Sequence, residues 1–128
     1  MDQSTAAEFA SRWVGPWNSH DVGAVLAHFT DDVVFTSSVA ARFLPETGGV
    51  FRGQAALRAH WAAALARLPE LHFEVLGTCA GVDHLVINYR NHVGDLVCEV
   101  LRFDGSLVAE GHGTYLSDDA ARASGLLR

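Results

Sequence analysis

The second half of the chain constrains the fold most. From Leu71 to Leu116 it holds four apolar or alternating stretches, Leu71 to Thr78, His84 to His92, Asp95 to Phe103 and Leu107 to Leu116, parted by Gly81-Val82-Asp83, Val93-Gly94 and Asp104-Gly105. Connections this short cannot hold a crossover helix, so consecutive strands must run antiparallel. The first half reads as helical. Thr5 and Glu8 form a capping box, and Phe9, Trp13 and Trp17 recur every four residues, which predicts a helix over 5–14 with one apolar face. Pro16 lacks an N–H for the carbonyl four residues back and should end or kink this helix near Gly15. Asp21 is an N-cap for a short helix over 22–29, a strand follows over 33–36, and 38–50 reads as an irregular binding loop or lid. The Ala-rich stretch 54–67 is a third helix, stopped by Pro69. Helices first and a meander after predict an α+β roll: three N-terminal helices packed on one face of a curved antiparallel sheet, with a pocket where the sheet cannot close over them.

At 128 residues the expectation is a single domain with its core over about 5–116 and a loosely held tail over 117–128. Half the residues are hydrophobic (49%), which excludes a disordered chain. A net charge of −6 offers no electrostatic footprint for nucleic acid or an anionic membrane. No apolar run approaches the roughly 18 residues of a membrane span. The N-terminal segment lacks the basic start and apolar centre of a signal peptide, so the expected compartment is the cytoplasm, with Cys79 and Cys98 reduced. The seven histidines show no HxH or HExxH spacing, and no dinucleotide or phosphate-loop glycine pattern occurs, so neither metal nor cofactor is expected.

Five segments carry a resemblance: W-N-S-H-D (17–21), H-F-T-D-D-V-V-F (28–35), F-R-G-Q-A-A-L-R-A-H-W (51–61), L-P-E-L-H-F-E-V (68–75) and E-V-L-R-F-D-G-S-L-V-A-E-G-H-G (99–113). In order and spacing, from Phe9 to Tyr115, the chain resembles the nuclear transport factor 2-like superfamily, its SnoaL-like group most closely. The resemblance implies a cone-shaped pocket. It does not imply one activity, because the superfamily holds isomerases, cyclases, dehydratases, epoxide hydrolases and non-catalytic binding proteins. Many such relatives dimerise through the outer sheet face, which implies a homodimer here through Leu85, Ile87, Tyr89, Cys98, Val100 and Arg102.

Two-residue turns at Val93-Gly94 and Asp104-Gly105 would pair Arg90 with Val97, Asn88 with Glu99, Glu99 with Glu110 and Val97 with His112. One face would then carry Asn88, Arg90, Glu99, Glu110 and His112. The ketosteroid isomerase branch suggests that this face is concave, with Glu99 where that branch keeps its oxyanion acid, His60 and Trp61 on the pocket wall and Trp13 at the oxyanion tyrosine. Ser37 stands at the position of the branch's carboxylate base and Trp13 has no hydroxyl, so ketosteroid isomerisation itself is rejected. The expected site has Glu99 and His112 as acid and base, since a His beside a carboxylate shuttles protons near neutral pH. Trp13, Trp17, Phe35, His60, Trp61, Asn88, Arg90 and Glu110 would bind a small organic ligand. Three readings stay open: a proton-transfer enzyme on an apolar substrate (isomerase, cyclase, dehydratase or epoxide hydrolase type), a non-catalytic protein that holds a hydrophobic ligand or a partner, or a mainly structural dimerisation module. In the second, Glu99, Arg90 and His112 are a structural polar network.

Overall fold

The computed structural model describes residues 1–116; the expected tail over 117–128 lies outside the described residues. Helix α1 spans Gln3–Asn18, α2 Val22–Leu26, α3 Ser38–Phe43 and α4 Gln54–Arg67. The strands are β1 Phe29–Ser37, β2 Val50–Arg52, β3 Glu74–Ala80, β4 His84–Arg90, β5 Leu96–Asp104 and β6 Leu107–Tyr115. They form one six-stranded sheet in the order β2-β1-β6-β5-β4-β3. The architecture is the α+β roll expected, with two additions. The segment 38–50 is structured: it holds α3, a 3-10 turn at Pro45–Thr47 and the edge strand β2. The sheet is also mixed, because β1 runs parallel to β6 while every other pair is antiparallel. The two helices and β2 between β1 and the later meander provide the long connection a parallel pair needs.

Helix α1 begins two residues before the expected capping box, where Asp2 Oδ1 accepts from Thr5 N at 2.8 Å. It also passes through Pro16 to Asn18 instead of stopping near Gly15. Pro16 deprives only the Arg12 carbonyl of its helical donor, and His28 Nε2 donates to that carbonyl at 3.2 Å. The orphaned acceptor is thus satisfied from outside the helix. Beyond α1, the segment 17–21 works as a clamp. Asn18 accepts from Phe73 N at 2.8 Å and donates to Phe73 O at 2.9 Å, and His20 Nε2 donates to Leu71 O at 2.9 Å. Leu71 and Phe73 therefore stay outside β3, held against α1 with both side chains buried. Gln54 does the same for α2, donating to the Leu26 and Phe29 carbonyls at 3.2 and 2.9 Å.

The register corrects the expected faces. In the β4–β5 hairpin Asn91 N donates to Asp95 O, so the loop is the three residues 92–94, with Gly94 at φ 89°. This is the three-residue hairpin whose last position is left-handed, a conformation glycine takes without a Cβ clash. Ile87 consequently faces Glu99 and Tyr89 faces Val97. In the β5–β6 hairpin Asp104 pairs with Leu107 and Phe103 with Val108, and a bulge then shifts the ladder so that Leu101 pairs with Gly111 and Glu99 with Gly113. One extra residue in each hairpin turns alternate side chains to the other face. Leu85, Ile87 and Tyr89 are buried inside and cannot serve the outer interface expected of them. Val86, Asn88 and Arg90 take their place outside, beside Cys98, Val100 and Arg102.

Candidate functional site: an aromatic-walled cavity with one buried acid

Between the concave sheet face and α1, α3 and α4 lies a cavity of about 540 Å³. That volume suits a small organic molecule. Trp17, Phe35, Trp61, Phe73 and Tyr89 form its buried walls, and the exposed Val39, Phe43, Arg67 and Tyr115 mark its rim. The aromatic rings brace one another. Trp61 meets Trp17 at 4.9 Å and Phe35 at 5.1 Å between centroids, both edge to face, and Phe73 packs on Tyr89 at 4.4 Å. Edge-to-face and tilted geometries are those the aromatic quadrupole favours, so these walls are stiff. Gly111 makes room for one of them, since a Cβ there would come within 2.7 Å of the Phe35 ring.

Glu99 is the one buried charged residue among the described residues, only 5% exposed. Its Oε1 accepts from the Tyr89 hydroxyl at 3.1 Å, and its Oε2 has no partner among the described residues. Burial disfavours the carboxylate and pushes the Glu99 pKa up from 4.5 to about 7; the Tyr89 hydrogen bond works in the opposite direction. Tyr89 is in turn held well above its ordinary value, first by burial and then by Glu99. On the rim, Tyr115 is raised as well, by desolvation and by the charges of Glu99 and Asp95. Both tyrosines therefore remain hydroxyl donors while Glu99 titrates. His60 stacks flat on Phe51 at 4.1 Å, and its pKa is lowered by desolvation and then by the nearby Arg67 charge, so the ring stays neutral. Trp17, which also lines the cavity, has its Nε1 buried and without a partner among the described residues.

Of the residues expected at the site, the structure gathers Glu99, Trp17, Phe35, His60 and Trp61 around the cavity. It separates the others. His112 pairs with Val100 and lies on the opposite face from Glu99, so the expected acid–base couple does not form. Instead His112 Nδ1 lies 2.6 Å from Thr36 Oγ1, and its Nε2 lies 3.6 Å from Glu110 Oε2, which also receives Arg102 Nε at 3.5 Å. Glu110 thus sits in an outer ion network and not opposite Glu99. Asn88 points outward, donating to Gly77 O at 3.5 Å, and Arg90 Nη1 donates to Gly94 O at 3.3 Å. Trp13 is fully buried behind the wall, stacked on Phe73 at 5.8 Å and tilted against Tyr89 at 5.1 Å. Ser37 lines the cavity, but its Oγ accepts from Ala40 N as the cap of α3. Sequence reasoning missed Tyr89, Tyr115, Phe73 and Arg67. The alternation Leu85-Ile87-Tyr89 against His84-Val86-Asn88-Arg90 was the signal for Tyr89.

Cys79 and Cys98 are both free. No group of three His, Cys, Asp or Glu side chains among the described residues could hold a metal ion, and no helix there is long and apolar enough to cross a membrane.

Helices packed on a mixed six-stranded sheet, with a cavity between them, are the architecture of the nuclear transport factor 2-like proteins. The model of the SnoaL-like domain matches residues 10–116, and the chain belongs to that family. A SnoaL-like protein of unknown function from Burkholderia thailandensis is 35% identical, with 91% of this chain and 98% of that one aligned at a TM-score of 0.85. A candidate polyketide cyclase from Sinorhizobium meliloti shares the fold at 13% identity, covering 89% of this chain and all of its own (100%) at a TM-score of 0.71. A protein of ketosteroid isomerase-like fold from Catenulispora acidiphila, in complex with trimethylamine, aligns over 92% of both chains at 15% identity and a TM-score of 0.66. No curated protein matches the chain.

Proposed function

We propose that the protein is a proton-transfer enzyme of isomerase or cyclase type, acting on a small, largely apolar organic molecule, with Glu99 as its acid–base group. The observation that carries this reading is the Glu99 carboxyl: buried at the wall of an aromatic cavity, bonded through one oxygen, without a partner at the other among the described residues, and poised at about 7. A carboxyl with a pKa near ambient pH is both an available base and an available acid, the condition for efficient general catalysis. His112 has no part in it. The neutral His60 and the Trp17 indole N–H position the substrate, and Trp61 and Phe35 bound its apolar body. A polyketide cyclase candidate and a small-ligand complex among proteins of this fold agree with such a use of the cavity.

The same reading has the chain working in the cytoplasm as a homodimer through the outer sheet face, now Val86, Asn88, Cys98 and Val100; sedimentation giving a single 13.8 kDa species would overturn the dimer. The chemistry is tested by deuterium exchange at the α-carbon of 2-tetralone, a bicyclic ketone, followed by proton NMR in D2O. The wild type accelerates exchange over buffer, and Glu99→Gln loses that acceleration by about 100-fold or more. Wild type and variant exchanging alike refutes the assignment and leaves a protein that holds its ligand unchanged.

A further inference from the structure

Three of the polar side chains that line the cavity, Trp17, Arg67 and Tyr115, carry hydrogen-bond donors. Trp17 Nε1 is a donor only, buried and without a partner among the described residues. Arg67 is exposed at the rim and makes no ion pair among the described residues. It lines the mouth of the cavity, and its charge is close enough to help lower the pKa of His60 in the same wall. Tyr115 keeps its hydroxyl proton at neutral pH. Against these donors stands Glu99, which is itself a donor whenever protonated. A cation entering here meets Arg67 at the mouth and a half-neutral carboxyl inside. An anion meets the Arg67 cation at the mouth, and a carbonyl reaching inward meets the Trp17 N–H and, when it is protonated, Glu99.

We infer that the cavity selects hydrogen-bond acceptors on an apolar body: an organic acid of roughly two fused rings, its carboxylate at Arg67 on the rim and its body against Trp17, Phe35 and Trp61, in preference to an amine. The inference deepens the reading of this cavity as the binding site, but it does not require Glu99 to be catalytic. The orientation follows from charge. A carboxylate pushed inward would face Glu99 in a medium that cannot screen the pair, whereas at the rim it meets the cation and water. Arg67 is thereby a specificity-determining residue, and Trp17 supplies the inner donor for a carbonyl.

The test is calorimetric titration of the full chain at pH 7 with three probes of one shape: 2-naphthoate, 2-acetylnaphthalene and 2-naphthylmethylammonium. The expected order of affinity is carboxylate, ketone, ammonium. Arg67→Gln lowers carboxylate affinity about fivefold, to the level of the ketone, and leaves the ketone unchanged. Trp17→Phe, which keeps an aromatic ring in the wall, weakens ketone binding by a similar factor. Tightest binding of the ammonium, a carboxylate indifferent to Arg67→Gln, or no binding of any probe overturns the inference. Loss of the Glu99-dependent exchange with the acceptor order intact would refute only the catalytic role.

Discussion

Tyr89 donates its hydroxyl to Glu99 Oε1 at 3.1 Å across two neighbouring strands, and this bond is the one polar contact the buried carboxyl makes among the described residues. Desolvation raises the Glu99 pKa and the tyrosine lowers it, and desolvation wins. The native state therefore holds a proton that the unfolded chain releases at lower pH.

That difference makes stability depend on pH. The folded value is about 7 and the ordinary one 4.5, so between them the native state binds more protons than the unfolded chain. The contribution is fully present below 4.5 and is lost as pH rises through 7. Relative to Glu99→Gln, the wild type should lose about 2–3 kcal/mol between pH 5 and pH 8. Urea unfolding of both proteins at the two pH values checks this; parallel profiles would contradict it.

Gly111 lies directly beneath the Phe35 ring, and a Cβ would also stand 3.2 Å from Leu101. Neither neighbour can withdraw freely, because Phe35 is wedged against Trp61 and Leu101 is fully buried. Gly111→Ala should cost about 1–3 kcal/mol by overpacking, read as a lowered midpoint in urea. Gly113 has its nearest neighbours at 3.8 Å and beyond, so the same change there should cost much less.

The passage of α1 through Pro16 depends on His28 reaching the Arg12 carbonyl. His28→Ala removes that donor and an edge contact with Phe9, at a cost of about 1 kcal/mol. In a Pro16→Ala background the helix supplies its own N–H to Arg12, so the same substitution should cost less. A double-mutant cycle measured by chemical unfolding should show this coupling, and strictly additive costs would refute it.

The helical half was legible in detail where propensity and punctuation agreed: α4 spans Gln54–Arg67, the range its Ala-rich run and Pro69 predict. The parallel pairing of β1 with β6 was not, because it joins residues some 75 positions apart in sequence and no local pattern encodes it. The site was legible only on β5, α4, and at Trp17 and Phe35. Glu99 was placed in the pocket by resemblance, but its partners were read through assumed two-residue turns, whereas the first hairpin has a three-residue loop and the second a bulge. On β4, the apolar series Leu85, Ile87 and Tyr89 pointed inward against the turn argument. Burial decides register wherever one face is dry. On β6 the bulge follows Val108, and the glycines at 111 and 113 mark where the backbone itself faces the core.

The catalytic reading of the cavity depends on a carboxyl that changes charge near neutral pH, and carbon-13 NMR titration of the glutamate side-chain carboxyls observes it directly. One glutamate should titrate with a midpoint at about 7, vanish from the spectrum in Glu99→Gln, and move higher in Tyr89→Phe as the stabilising bond to the carboxylate is lost. Every glutamate titrating near the ordinary 4.5, with no resonance altered by Tyr89→Phe, would contradict the account.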